Sequence, residues 1–169
     1  MGMRQTTPQG RITAYIEKQV AKYEKQLLKN LRYVGEQCVK EARKLPSPKF
    51  PKKKPHEVPP HQPNYIDWTA NLRSSIGYVI VRGGEIIGQS SFKPTHTRAG
   101  ASGNEGAAEG KAYAEKLAAK FPHGITLIVV AGMNYAAYVS AKGYDVLDSA
   151  ELLAEKLVPQ MMKQLSGKE

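Results

Sequence analysis

The chain has 169 residues, of which 41% are hydrophobic and 24% charged, a composition typical of one globular domain. A single cysteine excludes both an intramolecular disulfide framework and a Cys-rich zinc module. The longest apolar run, residues 125–133, is far shorter than the roughly 20 residues of a membrane-spanning helix, and residues 1–10 lack the apolar stretch of a secretory signal. We therefore expect a soluble protein made inside the cell, with no membrane partner.

The positive charge is concentrated in the first third of the chain. Residues 1–60 hold 14 Lys or Arg and 5 Asp or Glu, a net charge of +9, whereas residues 61–169 hold 11 and 10, a net of +1. Such a segment is attracted to polyanions in a salt-dependent way. Two interpretations stay open: a nucleic-acid-binding arm, or a solvated helix face followed by a solvated linker.

One long helix is predicted over residues 12–45, within an N-terminal region of residues 1–45. Its apolar positions recur at spacings of 4, 4 and 3, which is 3.67 residues per turn, so the stripe runs nearly straight along the helix. The stripe consists of Ile12, Ile16, Val20, Tyr23, Leu27, Leu31, Val34, Cys38, Ala42 and Leu45. At ~1.5 Å per residue the helix is a rod of about 50 Å, longer than its own core needs. We expect part of the stripe to pack elsewhere, for example on another copy, and Cys38 to be a small core residue.

A strap rich in proline and lysine follows over residues 46–64. Seven of the 11 prolines fall within residues 46–63, which predicts an extended, semi-rigid segment. Its two histidines, His56 and His61, lack carboxylate or thiol companions and make a poor metal site. The candidate residues for an interface or for facing DNA are Lys49, Lys52, Lys53 and Lys54.

Residues 65–169 are predicted to form an α+β core. Residues 76–82 and 85–92 are predicted strands joined by a two-residue Gly-Gly turn. The nearly all-apolar residues 125–133 are predicted to form a central strand covered on both faces. With the helices on either side, this gives an α+β fold with a long N-terminal helix, a small antiparallel or mixed sheet and a C-terminal helix.

Three further helical segments are predicted in this core. Asp67 or Thr69 is positioned to cap a short turn that ends at Ser74. A second helix, from about 107 to 121, is expected to turn an apolar face inward, made of Tyr113, Leu117 and Phe121. The last helix opens at Asp148 with Glu151 as its capping-box partner, and Pro159 is expected to kink it or split it in two.

The sequence does not match the motifs of catalytic or cofactor-binding sites with which we compared it. The glycine-rich residues 100–106 match neither the Walker A loop nor the Rossmann fingerprint. Ser74-Ser75 lacks the nucleophile-elbow glycines, and the four histidines (56, 61, 96 and 123) fall outside predicted strands and helices. We therefore expect no catalytic residues, no cofactor and no metal.

Two segments resemble one family. Residues 68–76 (WTANLRSSI) resemble the T-G-x-L-R-x-S segment, and residues 132–139 (GMNYAAYV) with Gly143 resemble the Y-A-x-x-V-E-x-G segment, of tailed-phage tail-completion or neck proteins, the group that includes the lambda tail protein Z. From residue 125 onward the amino-acid sequence is similar to that of family members from phages and prophages of Bacteroides-type bacteria. Ala70 and Ser140 depart from the family pattern, which usually has Gly and Glu there.

The resemblance implies a structural protein of the virion at the head–tail junction, present in the host cytoplasm during assembly. It implies several copies in a ring, between a head connector or adaptor and the tail tube or tail terminator, with lysines lining packaged DNA nonspecifically. The matching positions are Thr69, Leu72, Arg73, Ser75, Tyr135, Ala136, Val139 and Gly143.

These positions also have plain structural interpretations. Thr69 caps a turn, Leu72 and Ile76 enter the core, and Tyr135 and Tyr138 pack beside the central strand. The alternative function, motivated by the charge of the first third, is nonspecific DNA binding by the isolated protein.

Overall fold

A computed structural model describes residues 9–44, 65–97 and 100–167, and confirms the α+β fold class. The prediction of a strap over residues 46–64 falls outside the described residues. In chain order the elements are α1 (Gln9–Lys44), α2 (Asn71–Ser74), β1 (Ile76–Arg82), β2 (Glu85–Gln89), α3 (Asn104–Ala118), β3 (Ile125–Ala131), α4 (Ala136–Ala141) and α5 (Asp148–Ser166). Helices α1 and α5 cover one face of the sheet and α3 covers the other.

The sheet has three strands in the order β2-β1-β3, and both pairings are antiparallel. The predicted Gly-Gly turn joins β1 to β2, and both glycines have positive φ, 58° at Gly83 and 86° at Gly84. A two-residue hairpin turn of this kind needs left-handed backbone at both positions, which glycine adopts without a steric penalty. β1 pairs with β3 along its whole length, from Ile76 opposite Ala131 to Arg82 opposite Ile125.

The prediction that residues 125–133 form the central strand is wrong, because β1 is central and β3 lies at the sheet edge. The expected cover on both faces is present: Leu127 and Val129 pack in the core under α1 and α5, and Ile128 and Val130 pack on the side of α3. An apolar run therefore reports that both faces of a strand are covered. It carries no information on how many neighbouring strands are hydrogen-bonded to it.

The main core lies between the sheet and the C-terminal half of α1, closed on one side by α5. Its buried members are Leu31, Val34, Cys38, Val39 and Ala42 of α1, Ile76, Tyr78 and Ile80 of β1, and Ala150 and Met161 of α5. Cys38 is fully buried, with its Sγ 3.5 Å from the carbonyl oxygen of Ala150, and burial raises the pKa of its thiol. Its predicted role as a small core residue is confirmed.

Arg43 joins the end of α1 to the start of the sheet. Its Nε donates to the carbonyl oxygen of Ile76 at 3.1 Å, its Nη2 to that of Ser74 at 3.1 Å, and its Nη1 to that of Lys93 at 3.1 Å. Burial lowers the pKa of the guanidinium from its usual value. Because the planar fork reaches three carbonyl groups at once, this end of α1 is held against the junction of α2 and β1.

Helix α3 packs mainly through small residues, so the predicted inward face was wrong for Tyr113 and Phe121, whereas Leu117 is half-buried against the core as predicted. Tyr113 and Phe121 are 43% and 39% exposed. The buried face consists of Gly106, Ala107, Gly110, Ala114 and Ala118. A Cβ atom on Gly106 would collide with the Asn71 carbonyl, and one on Gly110 would collide with Ser75. The backbone of α3 therefore lies too close to its neighbours for large side chains to enter between them.

Helix α5 begins at Asp148, as predicted, and runs unbroken through Pro159 to Ser166, so of the two predicted effects of Pro159, a kink or a division into two helices, the division does not occur. Pro159 lies on the exposed side of the helix, where water is available to the carbonyl that loses its intrahelical partner. The capping-box prediction was also wrong, because the cap position is Leu147 and makes no side-chain hydrogen bond. Asp145 supplies the acceptor, its Oδ1 lying 3.2 Å from the backbone nitrogen of Ser149.

Candidate assembly surfaces

The two segments that carry the family resemblance meet at Ser75. The Ser75 hydroxyl donates to the carbonyl oxygen of Leu72 at 2.8 Å and accepts from the backbone N–H of Met133 at 3.3 Å. The Ser75 carbonyl accepts from the backbone N–H of Gly132 at 3.2 Å. Ser75 is fully buried, so the three hydrogen bonds replace contacts with water. One serine therefore couples the end of α2 to the chain that leaves β3.

An apolar cluster extends this junction. Leu72 of α2 and Ala136 of α4 are 2% and 7% exposed, and they pack with Tyr65 and Val146. Val139 is half-buried against the same cluster. The prediction that Leu72 enters a core is confirmed, and its partners come from the second segment of the resemblance.

The entry to α2 is held by both of the side chains that the sequence offered as alternatives, Asp67 and Thr69. Thr69 Oγ1 accepts from the backbone N–H of Asn71 at 3.3 Å, and Asp67 Oδ2 accepts from that of Arg73 at 2.9 Å. Burial raises the pKa of Asp67, and the hydrogen bond from Arg73 acts in the opposite direction. The guanidinium carbon of Arg73 lies 5.7 Å from the ring centroid of Tyr65, within the range of a cation–π contact.

Asn71 ties α2 to the start of α3, a role that the sequence did not indicate. Its Nδ2 donates to Glu105 Oε2 at 2.7 Å, and its Oδ1 accepts from the backbone N–H of Gly106 at 3.2 Å. The two partners lie 34 and 35 positions away in the chain.

The two tyrosines of the second segment differ in how far they are buried. Tyr138 is 65% exposed and lies under the Lys142 ammonium, 5.3 Å from its ring centroid, so the prediction for Tyr138 was wrong. Tyr135 is 37% exposed, and partial burial raises the pKa of its hydroxyl. Gly143 follows α4 with a φ of 83°, the left-handed conformation that favours glycine after a helix.

Only the C-terminal half of the apolar stripe of α1 packs in the core. Leu31, Val34, Cys38 and Ala42 are buried, and Leu27 is half-buried against the core. The N-terminal stripe, which we define as Ile12, Ile16, Val20 and Tyr23, is 39%, 54%, 51% and 46% exposed. The prediction that the stripe exceeds what the core needs is confirmed. What covers the N-terminal stripe stays a prediction.

A groove of about 1080 Å³ runs along α1 beside this stripe and reaches the end of α5. Its apolar lining comes from Val20, Tyr23, Leu28 and Leu165. The charged residues that line it are Lys22, Lys25, Lys29 and Arg32. We call this the α1 groove. Arg82 of β1 is ion-paired to Glu24 of α1 at 3.0 Å, which holds this part of the helix against the end of the hairpin.

The described ranges, 9–44, 65–97 and 100–167, contain no group of three His, Cys, Asp or Glu side chains that could hold a metal ion. Within the same ranges, no helix is both long and apolar enough to cross a membrane. His96 forms an isolated β-bridge with Ser102 in the glycine-rich loop. Lys49, Lys52, Lys53 and Lys54 lie outside the described residues, as do His56 and His61.

Comparison with known proteins returned no matching family model, no matching curated protein and no matching solved structure.

Proposed function

We propose that this protein is a structural component of the head–tail junction of a tailed phage, a tail-completion or neck protein that acts by assembly. Several copies form a ring, with a head connector or adaptor on one side and the tail tube or tail terminator on the other. The protein would be present in the host cytoplasm during assembly and in the virion afterwards. This function comes from the resemblance of residues 68–76 and 132–143 to that family.

The observation that carries an assembly role is the half-used stripe of α1. Four large apolar side chains on one helix, each 39% to 54% exposed, form a continuous surface of the kind that marks a protein–protein contact. A monomer that worked alone would gain nothing from a helix of 36 residues whose first half lies beyond its core. The exposed half is therefore best explained by a partner.

The junction at Ser75 supports the resemblance in a second way. In the sequence, the two matching segments are separated by a hairpin, a loop, a helix and a strand. In the fold, they are hydrogen-bonded through Ser75 and share one apolar cluster. A structural family without an active site is expected to retain motifs that jointly form one structural unit.

A nonsense mutation in the gene within its phage tests this function. We expect full heads beside finished but unattached tails when the lysate is examined by electron microscopy, together with rescue by the wild-type gene supplied in trans. Normal infectious particles would contradict the proposal. Heads that fail to fill, or tails that fail to form, would place the protein at another step of virion assembly.

Nonspecific DNA binding is the second candidate, favoured by the net charge of +9 over residues 1–60 and by the four cations of the α1 groove. A salt titration of duplex binding separates the two candidates. Tight binding by the isolated protein at about 150 mM salt, weakening steeply as salt is raised, would favour DNA binding. Weak binding at that salt concentration leaves the assembly role as the explanation of the exposed stripe.

A further inference from the structure

The α1 groove combines an apolar lining with charge of one sign. The charged residues that line it are four cations, Lys22, Lys25, Lys29 and Arg32, at spacings of 3, 4 and 3. Residues at this spacing follow one side of a helix. A groove with these properties is complementary to an amphipathic helix that carries apolar side chains beside a row of acids.

Helix α5 carries such a row on an exposed flank. Asp148, Glu151, Glu155, Val158 and Met162 are all exposed and are spaced 3, 4, 3 and 4. Val158 and Met162 are 36% and 45% exposed. No Lys or Arg falls between positions 148 and 155. We call this the α5 outer row: acidic over its first half and apolar over its second.

Within one molecule, α5 packs against α1 through Ala150 and Met161, about a third of a turn around the helix from the outer row. Among the described residues, the acids of the outer row form no ion pair with the cations of the groove. The strap of the same chain, residues 46–64, carries four lysines and one acidic residue and so has the same sign as the groove. Electrostatic complementarity therefore favours the outer row of a different copy over the strap.

We infer that the α5 outer row of one copy docks in the α1 groove of the next. The acids of residues 148–155 lie beside Lys25, Lys29 and Arg32, and Val158 and Met162 lie toward the N-terminal end of the groove. In this register the incoming helix runs antiparallel to α1. That is also the direction of α5 against its own α1, where Ala150 meets Cys38 and Leu165 meets the groove.

This register has a consequence for symmetry. Two copies related by rotation about an axis near the direction of α1 keep their helices pointing the same way, so the incoming α5 has the required orientation. A contact between two different surfaces joins copies head to tail and closes into a ring when the rotation divides the circle. The inference rests on the proposed function for the ring, whereas the contact itself is tested on the purified chain.

Charge reversal on the full-length protein provides the test, with association followed by analytical ultracentrifugation and folding by circular dichroism. The first variant combines Lys25→Glu with Lys29→Glu, and the second combines Glu151→Lys with Glu155→Lys. Each should weaken self-association about tenfold or more.

A third variant with all four changes, and an equal mixture of the first two, should restore self-association because unlike charges face each other again. The control, Lys116→Glu with Lys120→Glu, makes the same charge change at exposed positions on and just after α3 and should leave association unchanged.

Several results would overturn the inference: a wild-type chain that stays monomeric at high concentration, association that the second variant leaves intact, or a four-residue reversal that folds but does not associate. Sensitivity to the groove variant alone would mean that the groove binds something other than α5. If a double variant unfolds, Met162→Glu at an exposed position tests the same surface and should also weaken association. The purified chain could associate by this contact while its phage makes normal particles without the gene. That result would leave the inference standing and refute only the proposed function.

Discussion

The ring of Tyr78 lies directly on Gly35, and this contact sets how closely α1 approaches the sheet. A Cβ atom on Gly35 would lie 2.7 Å from Cγ and Cδ2 of that ring. Both residues are buried, and Tyr78 is in the middle of β1. Gly35 costs α1 about 1 kcal/mol of helix propensity relative to alanine, and the packing of the tyrosine ring explains why it is present.

Gly35→Ala should therefore destabilise the protein although alanine is the better helix former. We expect a net loss of about 1–3 kcal/mol, because the added methyl group forces the tyrosine ring or the helix to shift. Urea unfolding monitored by circular dichroism measures it. Gly10→Ala is the matched control: it lies in the same helix with nothing within 4 Å of the added atom, and should leave stability unchanged or slightly raised. A stabilised Gly35→Ala protein would show that Tyr78 does not rest on the helix backbone.

Ala70→Gly should not destabilise the protein, although Ala70 is only 2% exposed. Ala70 precedes α2 with a φ of 62°, a left-handed conformation that costs a residue with a Cβ roughly 1–2 kcal/mol. The family that the sequence resembles has glycine here, and the strained backbone supplies a physical reason for it. Relief of the strain should offset the lost methyl burial, so thermal unfolding should occur at the wild-type temperature or above.

Ala114→Gly is the comparison for that experiment. Ala114 is fully buried in the middle of α3, where glycine has no conformational advantage, and the change should cost about 1 kcal/mol or more. If the two substitutions lowered the unfolding temperature equally, the left-handed conformation at Ala70 would be contradicted.

Asp67 should make the stability of the protein depend on pH in a defined direction. Burial raises its folded-state pKa above the unfolded value of 3.8, so the folded state binds the proton more tightly than the unfolded state does. Its contribution to stability is complete below 3.8 and is lost as pH rises through the folded pKa. Asp67→Asn keeps an acceptor for the Arg73 N–H but cannot ionise.

The free energy of unfolding of Asp67→Asn, relative to wild type, should therefore be higher near pH 7 than near pH 3. Urea unfolding of both proteins at the two pH values measures the difference. A relative stability that falls between pH 3 and pH 7 would mean that the hydrogen bond from Arg73 outweighs burial at this carboxylate.

Deletion of residues 46–63 should leave the core folded and block assembly. The segment holds seven prolines and four lysines and offers little that could pack in a core, so circular dichroism and cooperative thermal unfolding should resemble those of the wild type. A nonsense mutant of the phage should be rescued by the full-length chain and not by the deleted one. Loss of the fold itself would count against a purely external role, and full rescue would show that the strap is dispensable for joining.

Elements that depend on neighbours in the sequence could be predicted from it. The stripe of α1 follows from a helical period that every turn repeats, and β1 and its turn follow from β-branched residues next to Gly83-Gly84. The short turn at Thr69 depends on a hydrogen bond between two residues that are two positions apart in the sequence. In each case the energy that selects the conformation is local, so a few adjacent residues are sufficient evidence.

Contacts between distant segments decided the rest. Placing β3 at the sheet edge required β1 to pair with both β2 and β3, and an apolar run contains no information about that pairing. Small residues of α3 face inward because its backbone approaches Asn71 at Gly106 and Ser75 at Gly110, and each pair is separated by 35 positions in the sequence. The spacing of apolar residues indicated a helix longer than its core needs. Only the fold showed that α5 ends beside the middle of α1, leaving the N-terminal stripe exposed, because the energy of that packing depends on where two distant helices meet.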